Sequence, residues 1–223
     1  ILMNIIINLI FKENLLRRIN MKDKKNIIII VLSLLFIVLC ILVKLDLLSN
    51  IDESVYKFIT SNMNNTTTNI YKVITFFGST IFMVGLCVLL LVLFIIIKKN
   101  IYGYIISGTL IFSTIMNNVI KVIIRRERPI YMIVRETTFS FPSGHTMASV
   151  SMYGILIYLI NKSNMNKKLK IILSIILGMI PLMVATSRIY LGAHYFSDIL
   201  GAIMLATIVL LISTKYIKDK KII

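Results

Sequence analysis

The sequence predicts an all-α integral membrane protein, a single bundle of six transmembrane helices. Three observations predict it. First, of 223 residues 58% are hydrophobic and only 15% charged, with a mean hydropathy of +0.91. Soluble domains carry roughly 45–50% apolar and about 25% charged residues, so both departures run the same way. Water-soluble globular, disordered and collagen-like chains are thereby excluded. Second, the apolar residues fall into six runs separated by polar segments. Third, Lys and Arg sort onto alternate connections between those runs.

Taken in order, residues 1–26 form an N-terminal segment. Residues 1–11 are apolar but too short for a span, which needs about 17–25 residues. Met21 is followed by Lys22, Lys24 and Lys25 and then by a long apolar run, the pattern of a natural start. Residues 1–20 therefore read either as an upstream extension or as an interfacial amphipathic helix. No small-residue cleavage site follows the apolar run, which speaks against a signal peptide. The six spans cover 27–43, 73–97, 101–120 (extendable to 124), 146–160, 171–186 and 199–214. The last three are short for a core of about 30 Å and are expected to recruit neighbouring polar residues. Gly178 and Pro181 are expected to bend the fifth. Residues 27–214 form the membrane domain, and 215–223 a basic cytoplasmic tail.

The chain holds 25 Lys and Arg against 9 Asp and Glu, a net charge of +16. Such an excess suggests nucleic acid, an anionic surface, or membrane topology. Alternating the spans puts sixteen of the cations on the side of both termini: Lys12, Arg17, Arg18, Lys22, Lys24, Lys25, Lys98, Lys99, Lys162, Lys167, Lys168, Lys170, Lys215, Lys218, Lys220 and Lys221. By the positive-inside rule that side is cytoplasmic, and no nucleic-acid partner is needed to explain it. Outside, Lys44, Lys57 and Lys72 lie scattered beside Asp46, Asp52 and Glu53. Lys121, Arg125, Arg126, Arg128, Arg135 and Arg188 concentrate in two outer loops with few acids nearby. Topology opposes that concentration, which suggests an anion bound at the outer membrane face.

Three segments there carry candidate chemistry: Lys121 to Arg128-Pro129, then Pro142-Ser143-Gly144-His145, then Ser187-Arg188 to His194 and Asp198. The two histidines of the chain both fall in them. His194 and Asp198 are four apart at the start of the sixth span, so on a helix they share a face. Asp198 can accept the Nδ1 proton of His194 and leave Nε2 as a free lone pair. Ser143 and Gly144 begin the fourth span, where unpaired backbone N–H groups suit phosphate oxygens. Gly144 permits close backbone approach, and Ser143 can cap the helix and donate its hydroxyl. Lys121, Arg128 and Arg188 add three cations able to hold a phosphoryl group. Together these are parts of a phosphoryl-transfer site that stabilises charge without a metal. Only Glu127, Glu136 and Asp198 are acids near these loops, so neither a Mg²⁺ carboxylate cluster nor a Zn²⁺ His/Cys set is predicted.

These segments resemble the three signature motifs of the type 2 phosphatidic acid phosphatase superfamily, the lipid phosphate phosphatases, in its bacterial six-span membrane branch. Lys121, Arg128, Pro129, Pro142, Ser143, Gly144, His145, Ser187, Arg188, His194 and Asp198 match in type, order and spacing. The motifs span about a third of the chain, and eleven positions at set spacing are far more specific than a lone Gly-rich loop. The resemblance implies a nucleophilic His194 that forms a phosphohistidine, oriented by Asp198. It implies that His145 protonates the leaving oxygen and then activates water. Lys121, Arg128, Ser143, Gly144 and Arg188 would hold the phosphoryl oxygens, with no cofactor and no metal. The substrate would be a lipid phosphate or diphosphate taken from the bilayer. Undecaprenyl diphosphate is favoured, because a small six-span chain fits recycling of that carrier; phosphatidylglycerol phosphate and phosphatidic acid follow closely.

The remaining residues read more plainly. Arg125 and Arg126 match no motif position and are expected to contact lipid headgroups. Arg135 and Glu136 read as a solvated loop, and Asn117 and Asn118 as interhelical glue. Ser187 reads as a hydrogen-bonding or capping residue. Cys40, Cys87 and the methionines read as apolar filling. A lipid phosphotransferase would carry the same motifs. An anion channel or transporter would fit six spans but has no need of the histidine set.

Overall fold

The structure, a computed structural model, describes residues 21–215. The expected extension over residues 1–20 and the tail over 216–223 lie outside the described residues. Eight helices and no strand occur among those described: α1 (Met21–Lys44), α2 (Ser49–Thr60), α3 (Asn65–Phe76), α4 (Thr80–Ile96), α5 (Asn100–Ile124), α6 (Gly144–Lys162), α7 (Lys167–Tyr190) and α8 (Phe196–Lys215). Local signals set their starts. The Asn64 side chain accepts the Thr67 N–H at 2.9 Å, and Thr67 returns the bond to the Asn64 N–H at 3.1 Å. Ser79, Ser143 and Asn166 cap α4, α6 and α7. Each supplies an acceptor to a helix-start donor that would otherwise be unpaired.

Five stretches are long and apolar enough to cross a membrane: Lys24–Lys44, Asn65–Ile96, Asn100–Ile124, Lys167–Tyr190 and Phe196–Lys215. They carry five of the six expected spans. The last two exceed their expected lengths by recruiting polar end residues. The second is α3 plus α4, broken at residues 77–79. There Gly78 lies so close to α7 and α6 that a Cβ would sit 2.5 Å from Val184 Cγ1 and 3.2 Å from the His145 carbonyl oxygen. α7 continues through Pro181 as one helix.

The expected fourth span, α6, is a 19-residue helix that is not among the five stretches apolar enough to cross a membrane, and its position explains why. It packs against α5, α7 and α8. Thr146, Ser149 and Ser151 are fully buried, and the Ser151 hydroxyl donates to Ser113 Oγ at 2.8 Å. A central helix faces protein rather than lipid, so small polar residues can line it and still be paired. The outer helices show the converse. Ile30 and Leu34 of α1, Ile81 and Leu89 of α4 and Ile175 of α7 leave most of their surface uncovered, as a lipid-facing surface requires.

Side-chain bonds fix the bundle's ends. Lys25 Nζ reaches Thr214 Oγ1 at 3.3 Å, so the start of α1 lies beside the end of α8. Lys44 Nζ reaches the Ile124 carbonyl at 3.2 Å, so the end of α1 lies beside the end of α5. The connections 45–64, 125–143 and 191–195 therefore gather at one end. α2, which the hydropathy pattern did not predict, packs there against α7 and α8. Its Val55, Tyr56 and Ile59 meet a cluster of Ala185, Ile189 and Ile199.

Candidate active site

α5 stops at Arg125, which adopts the left-handed conformation (φ 52°, ψ 40°) while its N–H still bonds the Lys121 carbonyl at 2.9 Å. The chain then turns across the end of the bundle, carrying Arg126, Arg128 and Glu136. α7 ends at Tyr190, and Gly192 (φ 64°) reverses the chain. A Cβ on Gly192 would lie 2.7 Å from the Tyr131 carbonyl oxygen, so only glycine fits that turn. The Ala193 and His194 N–H groups then bond back to the Arg188 carbonyl at 3.0 and 3.3 Å.

His194 is buried, and its Nδ1 lies 3.3 Å from Asp198 Oδ2. The same carboxylate oxygen accepts the Tyr195 N–H at 2.9 Å and the hydroxyl of Ser140. On the other side of the ring, Arg128 Nη1 lies 3.2 Å from His194 Nε2 and donates to the Ala193 carbonyl at 2.8 Å. A guanidinium only donates, so Nε2 is an acceptor and the ring proton sits on Nδ1. Burial pushes the His194 pKa down to about 3, although the hydrogen bond and charge of Asp198 pull it up; Arg188 and Arg128 add to the lowering. The ring is held neutral with its lone pair on Nε2.

The other cations converge on the same place. Lys121, on the last turn of α5, donates to the carbonyls of Phe139 and Ser140. Arg188, on the last turn of α7, is 1% exposed. Its Nη1 donates to Thr75 Oγ1 at 2.9 Å, its Nη2 pairs with Glu136, and its Nε has no partner among the described residues. Glu136 lies 3.6 Å from Arg128 as well. Burial lowers the Arg128 pKa, opposed by Glu136 and Asp198.

A cavity of about 340 Å³ brings together Lys121, Arg128, Gly144, His145 and His194, with Glu136 on its wall. One side of it runs between α4 and α5, past Met83, Val84, Leu110 and Thr114. Asp198 stands behind His194. Arg188 reaches the site through Glu136 rather than by lining the cavity. Ser143 is fully buried beneath the start of α6; its Oγ accepts from the Thr146 hydroxyl at 3.0 Å, and its N–H bonds the Asp198 carbonyl at 3.2 Å. Among the described residues no three His, Cys, Asp or Glu side chains gather into a metal-ligand set. The assembly is a neutral imidazole with its Nε2 lone pair toward Arg128, a second imidazole, and the cations Lys121 and Arg128 around one pocket, a set whose charge suits a phosphoryl group.

Several residues depart from their sequence reading. Arg126 does not contact headgroups. It lies between two buried carboxylates, 2.7 Å from Asp198 Oδ1 and 2.7 Å from Asp52 Oδ2. Glu136 is no solvated loop residue but the partner of two guanidiniums; its neighbour Arg135 is exposed. Asn117 does tie elements together, donating to the Pro142 carbonyl at 3.2 Å, and both Asn117 and Asn118 line the cavity. Asp52, which reads in the sequence only as one of three acids beside scattered lysines, is buried at the site. A signal exists: Asp52, Val55, Tyr56 and Ile59 form one helical stripe, and a carboxylate on an apolar stripe implies a buried cation.

This fold and site define a membrane phosphatase of lipid phosphates, a phosphoric-ester hydrolase. The chain belongs to the PAP2 superfamily, whose family model matches residues 101–222. It is 31% identical over 178 residues to phosphatidylglycerophosphatase B of Bacillus subtilis (strain 168), covering 78% of this chain and 87% of the relative. A crystal structure of a transmembrane PAP2-type phosphatidylglycerolphosphate phosphatase from Bacillus subtilis superposes with a TM-score of 0.80 at 28% identity, covering 86% of this chain and 97% of that one. The crystal structure of Aquifex aeolicus LpxE shares the fold, with a TM-score of 0.60 at 19% identity over 73% of this chain and 94% of that one.

Proposed function

We propose that the protein hydrolyses a lipid phosphate or diphosphate through a phosphohistidine on His194. The observation that carries the reading is the pairing of Arg128 Nη1 with His194 Nε2 at 3.2 Å, beside Lys121 in one cavity. In the first step Nε2 attacks phosphorus and the bond to the leaving oxygen breaks. His145 gives that oxygen its proton. The positive charge of the phosphorylated ring is met by Asp198 at Nδ1. In the second step His145 takes a proton from water, the hydroxide attacks phosphorus, and the bond to Nε2 breaks, releasing phosphate and neutral His194. Lys121 and Arg128, with the backbone N–H groups at Gly144, stabilise the phosphoryl oxygens, and Arg188 joins them when the phosphate displaces Glu136 from its Nη2. The charge stabilisation needs no metal ion. The limb of the cavity between α4 and α5 offers a lipid tail a path from the bilayer.

Two substrates stand in front. The resemblance to a phosphatidylglycerophosphatase supports phosphatidylglycerol phosphate. Undecaprenyl diphosphate is the other candidate, because the same cations and backbone N–H groups would hold the terminal phosphoryl of a diphosphate. Purified protein assayed with EDTA against these two and phosphatidic acid, compared by kcat/KM, decides between them. Phosphate release abolished by EDTA and restored by Mg²⁺, or near-normal turnover by His194→Ala, would overturn the mechanism. Phosphorylated acceptor in place of free phosphate would make the protein a phosphotransferase.

The site is read as opening on the outer membrane face, because sixteen cations of the sequence fall at the opposite end of the alternating spans. In a variant lacking Cys40 and Cys87, an impermeant maleimide should label Ile130→Cys on intact cells and Met165→Cys only after lysis. The reverse pattern would invert the topology.

A further inference from the structure

We infer that Arg126, held from behind by Asp52, is a positioning residue for the His194–Asp198 pair: it fixes one carboxylate oxygen of Asp198 so that the other faces the imidazole. The inference rests on the reading of His194 as nucleophile and adds two residues to it. Neither residue belongs to the motif positions that match by sequence.

The geometry is a chain of four side chains. Asp198 Oδ1 takes Arg126 Nη1 at 2.7 Å, while Oδ2 faces His194 Nδ1. Arg126 Nη2 takes Asp52 Oδ2 at 2.7 Å, and its Nη1 also donates to the Ser197 hydroxyl at 2.7 Å. Its guanidinium carbon lies 3.9 Å from the centre of the Tyr195 ring. Asp52 is 1% exposed and accepts both the N–H of Ser197, at 2.8 Å, and its hydroxyl, at 2.7 Å. One carboxylate from α2 thus anchors the guanidinium and ties down the first turn of α8, which carries Asp198. The two arms of the arginine fork serve two different carboxylates, which a lysine cannot do from one point charge.

Charge balance explains the second carboxylate. Arg126 alone would neutralise Asp198 and leave a charged His194 ring without a counter-ion. With Asp52 present, the set carries −1 while the ring is neutral and reaches zero when the ring becomes positive. The cluster is therefore balanced for the phosphorylated state. Burial works against the Arg126 charge, and Asp198 and then Asp52 more than offset it, so the guanidinium stays firmly protonated. His194 itself is faced by Asp198 of α8, by Arg128 and Glu136 of the 125–143 connection, by His145 of α6, by Arg188 of α7 and by Lys121 of α5. Asp52 and Arg126 do not touch His194 and reach it through Asp198 and the Tyr195–Ser197 segment, so substitutions there leave its direct side-chain partners in place.

The test is the pH dependence of kcat/KM in purified Arg126→Met, Arg126→Lys and Asp52→Asn, with His194→Ala in the same series. Arg126→Met removes a positive charge behind Asp198, which makes ring protonation easier. Its acid limb should move upward by about one pH unit, and kcat should fall about 100-fold, as for a reacting group misplaced by roughly 1 Å. KM should stay within about threefold, because phosphate contacts are untouched. Arg126→Lys keeps the charge, so its acid limb should stay put while kcat falls less. Asp52→Asn should lower kcat without moving the limb upward. If Arg126→Met does not fold, Arg126→Lys and Asp52→Asn carry the test through their split of kcat from KM. An unmoved acid limb in a folded Arg126→Met, or a loss confined to KM or to thermal stability in all three, overturns the inference. Near-normal turnover by His194→Ala would instead overturn the nucleophile reading, so the two failures are distinguishable.

Discussion

Arg128 and His194 meet at the atom where the chemistry is expected: Nη1 of the guanidinium lies 3.2 Å from Nε2 of the imidazole. The contact does two things. It identifies the tautomer, because Nε2 must be an acceptor there. It also places a cation where the phosphoryl oxygens would arrive, so an incoming phosphate exchanges an Arg–His contact for a charge-assisted one.

Arg128→Ala should therefore lower kcat by about 10²–10³, the usual loss for a removed oxyanion donor. Arg128→Lys should recover part of it, because a point charge replaces a fork that also holds Thr138 and Ala193. Steady-state kinetics on the two variants checks this; equal activity of both with the parent would contradict it.

The pH behaviour follows from His194. Its pKa is about 3 in the folded protein, against 6.5 ordinarily. Between those values the unfolded chain binds a proton that the folded protein does not. The stability associated with the neutral ring is complete above pH 6.5 and is lost progressively as pH falls toward 3. Tm measured across that window should decline, and His194→Asn should decline less steeply. The acid limb of kcat/KM should lie well below 6.5, and the alkaline limb should appear in kcat, because the negative charge of a bound phosphoryl group must favour the charged His145 ring before it can donate a proton. A profile flat from pH 4 to about 10 would contradict the paired roles.

Glu136 bridges the two arginines that would hold phosphate, and its carboxylate occupies their donors. Glu136→Gln should free them and tighten inhibition by orthovanadate about tenfold, which is about 1.4 kcal/mol. Tm should fall at the same time, since Arg188 loses its buried counter-ion. Weaker vanadate inhibition would mean that Glu136 supports the arginines rather than competing for them.

Gly78→Ala tests how the break between α3 and α4 holds the site. The new Cβ would lie 2.5 Å from Val184 Cγ1, 2.9 Å from Ser149 Oγ and 3.2 Å from the His145 carbonyl oxygen. Val184 and Ser149 are fully buried and have little room to yield. Overpacking of this kind costs about 1–3 kcal/mol. Thermal unfolding should report the loss, and kcat should drop because the start of α6 carries His145. Unchanged Tm and kcat would show that the contact relaxes freely.

The sequence by itself determined the membrane class, five of the six spans as apolar helices, and the place of His194 beside Asp198. Those features rest on local properties: hydropathy over one helix length and an i,i+4 spacing. It also marked Lys121, Arg128, Gly144 and His145, which the fold brings to one cavity. The tertiary structure alone decided the rest. α6 is polar because it is central, and centrality is a property of the bundle. Arg126, Asp52 and Glu136 acquire their partners from segments that lie 74, 145 and 52 residues away in the chain. Their charges looked like surface charges in the sequence, because a charge declares its partner only when folding removes both from water. Burial makes that pairing obligatory, and no local pattern encodes which distant carboxylate will meet which guanidinium.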